Sequence, residues 1–174
     1  EPTRRGYAFL GWFTQETGGT QVDGNTVFKE VASTTYYAHW EEATVFSVVV
    51  PAVLPVTVDQ NGKVYVSNAE IVNHSTAAVQ VSSVTLTAEN GWTLVPFSTN
   101  MATEKVDSRK IGFSVNGAQS RTTGAEEALP LGGGWRIPGG EALPLHYDAV
   151  VSAASRPISE QVLTVIFVLE WAGT

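Results

Sequence analysis

Val79-Gln80-Val81-Ser82-Ser83-Val84-Thr85-Leu86 sets its apolar side chains on one phase in its first half and on the opposite phase in its second. Alternation with a period of two marks a strand with one face on a core. A change of phase inside such a strand means a β-bulge or a crossing of the chain between sheets. Both devices suit two packed sheets. Outward from this stretch, further strands are predicted over 46–50, 56–58, 63–67, 92–97, 111–115, 143–149 and 161–171. Asp59-Gln60-Asn61-Gly62 supplies a hairpin turn between two of them. In the last strand Val162, Ile166 and Val168 share one phase, and Leu163, Val165, Phe167 and Leu169 the other. Two apolar faces predict a central strand covered on both sides. Short strands with turn signals every few residues predict an immunoglobulin-like or jelly-roll β-sandwich over 45–174. The segment 106–140, with Gly132-Gly133-Gly134 and Pro138-Gly139-Gly140, reads as long surface loops, and 125–129 as at most one helical turn.

Composition agrees with this. Charged residues make up 16% of the 174, against 43% hydrophobic, so a core is available and strand-forming Thr, Ser and Val take the place of charge. A net charge of -7 with no basic cluster argues against nucleic-acid and anionic-membrane partners. Without Cys there is no disulfide framework, thiolate metal site or thiol nucleophile. The longest apolar-rich run, 45–58, is interrupted by Pro51 and Pro55, so no segment is predicted to insert in a membrane.

Residues 1–42 differ from the rest in aromatic density: Tyr7, Phe9, Trp12, Phe13, Phe28, Tyr36, Tyr37 and Trp40. A boundary is expected near Glu41-Glu42-Ala43, giving units 1–42 and 45–174. The run Pro2-Thr3-Arg4-Arg5-Gly6-Tyr7-Ala8-Phe9-Leu10-Gly11-Trp12-Phe13, then Gly18-Gly19, then Tyr37-Ala38-His39-Trp40 resembles the Listeria/Bacteroides surface repeat, or internalin-type B repeat. The resemblance covers the C-terminal half to two-thirds of such a repeat. It implies a secreted or wall-attached bacterial protein, a small β-grasp-like fold and no catalytic residues. A parent protein is therefore expected to be exported and to carry more of the repeat before Glu1. About 40 residues rarely sustain a core alone, so Trp12 and Trp40 are expected to be core residues, packed within the unit or against the second one. More loosely, Gly91-Trp92-Thr93-Leu94 and Leu169-Glu170-Trp171 resemble WxL-type wall-binding domains, with Ala172-Gly173 departing from the second motif.

Little chemistry is written in the side chains. His39, His74 and His146 stand at no metal-pair spacing. His146 and Asp148 fall on one face of a strand, which reads as solvated. The residue six beyond Gly62 is Asn68, where a calcium loop needs Glu. Glu126-Glu127 are neighbours rather than a facing pair, and there is no nucleophile elbow or phosphate loop. No catalytic residue, metal or cofactor is assigned. Lys63 or Lys110 with Asn73 or Asn116 are the candidates for an intramolecular isopeptide bond. The most ligand-like feature is Gly132-Gly133-Gly134-Trp135-Arg136, a rigid aromatic and a guanidinium on a glycine-rich loop. The expected function is a non-enzymatic display or adhesion module on a bacterial surface. The other reading is a carbohydrate or cell-wall-polymer binding module using Trp135, Arg136 and Trp92. Partners would be a glycan, a wall polymer or a host surface protein; oligomeric state is left open.

Overall fold

A computed structural model describes residues 1–26, 33–43, 45–59 and 62–173. The strands begin with β1 (Tyr7–Phe13), β2 (Gln21–Val22), β3 (Tyr37–Glu42), β4 (Val48–Val49), β5 (Val56–Val58), β6 (Val64–Val66), β7 (Glu70–Asn73) and β8 (Val79–Ala88). They continue with β9 (Thr93–Leu94), β10 (Lys110–Val115), β11 (Ala118–Gln119), β12 (Glu126–Ala128), β13 (Trp135–Ile137), β14 (Ala142–Pro144), β15 (Tyr147–Val151) and β16 (Leu163–Trp171). Among the described residues the only helical element is a 3-10 turn, Met101–Thr103, capped by the Asn100 side chain. The protein is all-β.

The first sheet, β2-β1-β3, is antiparallel and made entirely from the aromatic N-terminal segment. Leu10 is an extra residue in β1, because Phe9 pairs with Trp40 while Gly11 pairs with His39. Gly11 adopts φ 130°, and a Cβ there would lie 2.5 Å from Gln21 Nε2. Only glycine lets Gln21 reach the Leu10 carbonyl. The aromatic rings pack within this sheet: Phe9 lies 5.2 Å from Trp40 and 5.7 Å from Trp12, and Phe13 stacks on His39 at 4.0 Å. Trp12, expected in a core, is 43% exposed. Among the described residues this sheet forms a single layer, which leaves the ring partly in water. Phe28 lies outside the described residues.

The remaining strands form four ladders around one core. These are β11-β10-β15 with β9 beside β10, β12-β8-β13 with β16 on the other side of β8, β14-β7-β4, and the hairpin β5-β6. Ile71, Val79, Val81, Val84, Leu86, Leu94, Ile111, Phe113, Val115, Ile137 and Tyr147 meet in this core, with side chains from several sheets. This is the layered packing of a β-sandwich. The ladders are antiparallel except β9 with β10.

The phase change in β8 is a bulge. Val168 faces Ser83 and the next residue, Leu169, faces Val81, so Ser82 has no opposite number. The extra residue returns Val84 and Leu86 to the face already used by Val79 and Val81, and all four are fully buried. The crossing between sheets lies elsewhere. The predicted strand 143–149 divides into β14, which pairs with β7, and β15, which pairs with β10. Pro144 lacks a donor, and the Leu145 N–H turns instead to the Ala69 carbonyl.

Three further expectations are corrected. The segment 106–140 carries β10, β11, β12 and β13 rather than long loops, and 125–129 contains strand β12 rather than a helical turn. Asn116-Gly117, with φ 46° and 80°, makes the tight turn from β10 to β11. The last strand, β16, is not central: among the described residues it pairs only with β8. The β5-β6 hairpin forms as expected, with the Asp59 N–H donating to the Lys63 carbonyl at 3.0 Å. Gln60 and Asn61 of its turn lie outside the described residues.

Asn73, fully buried, ties three segments together. Its Nδ2 lies 2.9 to 3.1 Å from the carbonyls of Ala77, Ile137 and Pro138, and its Oδ1 accepts from the Ser75 N–H. The isopeptide candidates are thus otherwise engaged. Asn116 bonds Pro144 and His146, Lys110 pairs with Glu104, and Lys63 lies over the Tyr65 ring.

Candidate functional site

Pairing in the β13-β8-β16 ladder separates the residues singled out on the glycine loop. Trp135 stands opposite Val81, which faces Leu169, and Arg136 stands opposite Gln80, which faces Glu170. Directly opposed residues project from the same face, and successive residues from opposite faces. Trp135 is therefore on the core side, half-buried against the core cluster. Arg136 is on the outer side and exposed. Far from lying on a loop, Trp135 and Arg136 belong to a strand that aims them in opposite directions.

The outer face of this sheet begins with a polar row, Arg136, Gln80 and Glu170. Gln80 Nε2 donates to Glu170 Oε1 at 2.8 Å, and Arg5 Nη2 lies 3.6 Å from Glu170 Oε2. Beside the row, Ser82, Leu131 and Gly132 to Gly134 border a shallow cleft of about 400 Å³. Further along, Val168 faces Ser83 and Ile166 faces Thr85. Val168 is 46% exposed and Ile166 48%. The face thus passes from charged to apolar over a few residues of one strand. Nothing in the sequence marked Gln80 or Glu170, because their meeting depends on the register of β8 against β16.

Trp92 sits apart, in a second cleft of about 400 Å³ with Asp107, Arg109 and the segment 152–160. Neither Trp135 nor Arg136 lines it. The indole is only 7% exposed, and its N–H donates to Glu160 Oε1 at 2.8 Å. Arg109 Nη1 reaches the same oxygen at 3.2 Å and also the Asn90 carbonyl. Asn90, Asp107 and Arg109 all have positive φ, at 50°, 64° and 51°. Asn and Asp tolerate this region, whereas Arg is rare in it. Arg109 is held there by its guanidinium bonds and by its carbonyl, which accepts from the Thr93 N–H at 2.8 Å. The Asp107 carboxylate accepts from the Ser155 N–H at 2.8 Å. The Ser155 hydroxyl and N–H, then the nearby Arg156 and Arg109 charges, hold its pKa below the ordinary Asp value.

His146 and Asp148 are both exposed, as expected for a solvated face. Glu126 is exposed too, but Glu127 is half-buried and accepts from the Arg121 and Thr122 N–H groups. Among the described residues no group of three or more His, Asp or Glu is placed to hold a metal ion. Among the same residues no helix is long and apolar enough to cross a membrane.

An all-β chain that sets an aromatic three-stranded sheet before sheets packed on one core is a β-rich module. The family model of the Listeria-Bacteroides repeat domain matches residues 1–39, so β1 and β2 and the start of β3 form a repeat of the kind found in surface proteins. No curated protein and no solved structure matches the chain.

Proposed function

We propose that this chain is a non-enzymatic module of a bacterial cell-surface protein, exposed outside the cell or in the wall, that serves in display or adhesion. The observation that carries this reading is the surface-type repeat at residues 1–39, followed by a sheet whose outer face exposes Ile166 and Val168. The sheet that follows the repeat offers Arg136, Ile166 and Val168 on its outer surface, where a partner would meet them. The test is antibody labelling of intact cells that produce the parent protein. Labelling without permeabilisation is expected, and signal only in permeabilised cells would overturn the assignment.

The cleft beside Trp92 favours a second reading, recognition of a carbohydrate or wall polymer, because an aromatic wall with Arg109 and Asp107 nearby suits a polyhydroxylated ligand. Sedimentation with purified sacculi and binding to a glycan array test it. Binding that Arg109→Ala or Glu160→Ala removes, with the fold intact, would support this reading over simple display.

A further inference from the structure

Strand β16 has nine residues, Leu163–Trp171, and pairs with β8 along its length. Among the described residues no strand pairs with its other side. Alternate residues therefore turn N–H and C=O groups to an open edge. Natural edges of this length are usually blunted by Lys, Pro or a bulge of their own. β16 has none of these: the unpaired residue of the ladder, Ser82, belongs to β8, and the only charge in the strand is Glu170. That charge is already compensated by Gln80 and Arg5.

The order of side chains names the occupant. About Phe167 as centre, the outward residues run Thr164, Ile166, then Val168, Glu170, and the inward ones Leu163, Val165, then Leu169, Trp171. Turned end for end, the strand meets itself with apolar opposite apolar. We propose that β16 pairs antiparallel with β16 of a second copy about a two-fold axis at Phe167, continuing the sheet from one protomer into the other. Ile166 of each protomer then lies opposite Val168 of the other, and the four exposed aliphatic side chains join in one patch. Thr164 faces Glu170, so no like charges oppose each other in the seam. This matters for a chain of net charge -7, which otherwise repels its own copies. A one-strand seam is at the small end of specific interfaces, so the dimer is concentration-dependent rather than obligate.

The test uses the full chain in sedimentation velocity from micromolar to millimolar concentration, where a monomer–dimer equilibrium is expected. Ile166→Lys with Val168→Lys places Lys opposite Lys across the axis and weakens the dimer by about tenfold or more. Ile166→Lys with Val168→Glu places opposite charges there and retains it. Both positions are about half exposed, so thermal melts should show the fold intact. Register is read by cross-linking, since the chain has no Cys. Opposed residues bring Cα atoms within roughly 4.5–5.5 Å, inside disulfide range, while diagonal ones are farther apart. A mixture of the Ile166→Cys and Val168→Cys proteins should form disulfide dimer that neither forms alone. A chain monomeric throughout, including one that captures only a foreign strand, overturns the proposal. So does association that the double Lys variant leaves unchanged, or cross-linking no greater in the mixture than in the separate proteins.

Discussion

The indole N–H of Trp92 donates to Glu160 Oε1 at 2.8 Å, joining the start of β9 to the segment before β16. Arg109 shares that oxygen, so one carboxylate fixes a buried ring and a residue with positive φ. Glu160→Ala leaves a buried donor without its partner, which costs about 1–3 kcal/mol. Urea unfolding should show a lower midpoint at unchanged slope, with a change in Trp emission. An unaltered midpoint would mean that water replaces the carboxylate at no cost.

Trp12 rests edge-on against Phe9 and keeps 43% of its surface in water. Trp12→Ala is therefore expected to cost about 2 kcal/mol, from the partial burial of the ring and its aromatic pair, and not the roughly 3–5 kcal/mol of a fully buried aromatic. Chemical unfolding followed through the remaining aromatic signal measures it. A loss at the upper figure would mean that a partner covers the ring in solution.

The Asp107 carboxylate titrates below the ordinary Asp value because the Ser155 hydroxyl and N–H favour its charged form. A lowered native pKa means that the tie is fully present above the unfolded Asp value, near 3.9, and is lost as pH falls through the native one. The Ser155 amide resonance should shift with a midpoint under that of a free Asp. In Asp107→Asn the shift should vanish, and its persistence would assign the titration to another group.

Residues 45–174 should fold without the N-terminal sheet. Among the described residues the core cluster draws on none before Val48. Across the boundary, the Thr3 hydroxyl bonds the Gly173 carbonyl and Arg5 pairs with Glu170; both are surface contacts of small worth. A purified 45–174 fragment is expected to melt in one cooperative transition. A broad, non-cooperative melt would show that the first sheet is needed.

Much of the β architecture was legible in local pattern. The hairpin β5-β6 and strands such as β10 and β16 follow from alternation and turn chemistry, which act over a few residues, and the repeat in residues 1–39 follows from the resemblance of its motif to a known family. Asn116-Gly117 carries the same kind of local turn signal. Local pattern failed where two outcomes share one sequence. Apolar residues on both phases of β16 predicted a doubly covered strand, yet Ile166 and Val168 face outward beside an open edge.

By itself the sequence determined that the chain is β-rich, where most strands lie, that Val79 to Leu86 must bulge or cross, and that a surface-type repeat opens it. Tertiary structure alone decided that the bulge falls at Ser82, that the sheet crossing falls at Leu145, and that Trp135 and Arg136 point apart. It also set Arg136, Gln80 and Glu170 in one row. The reason is that alternation records which residues share a face. Register, and which strand lies alongside, depend on long-range hydrogen bonding and packing that no short stretch encodes.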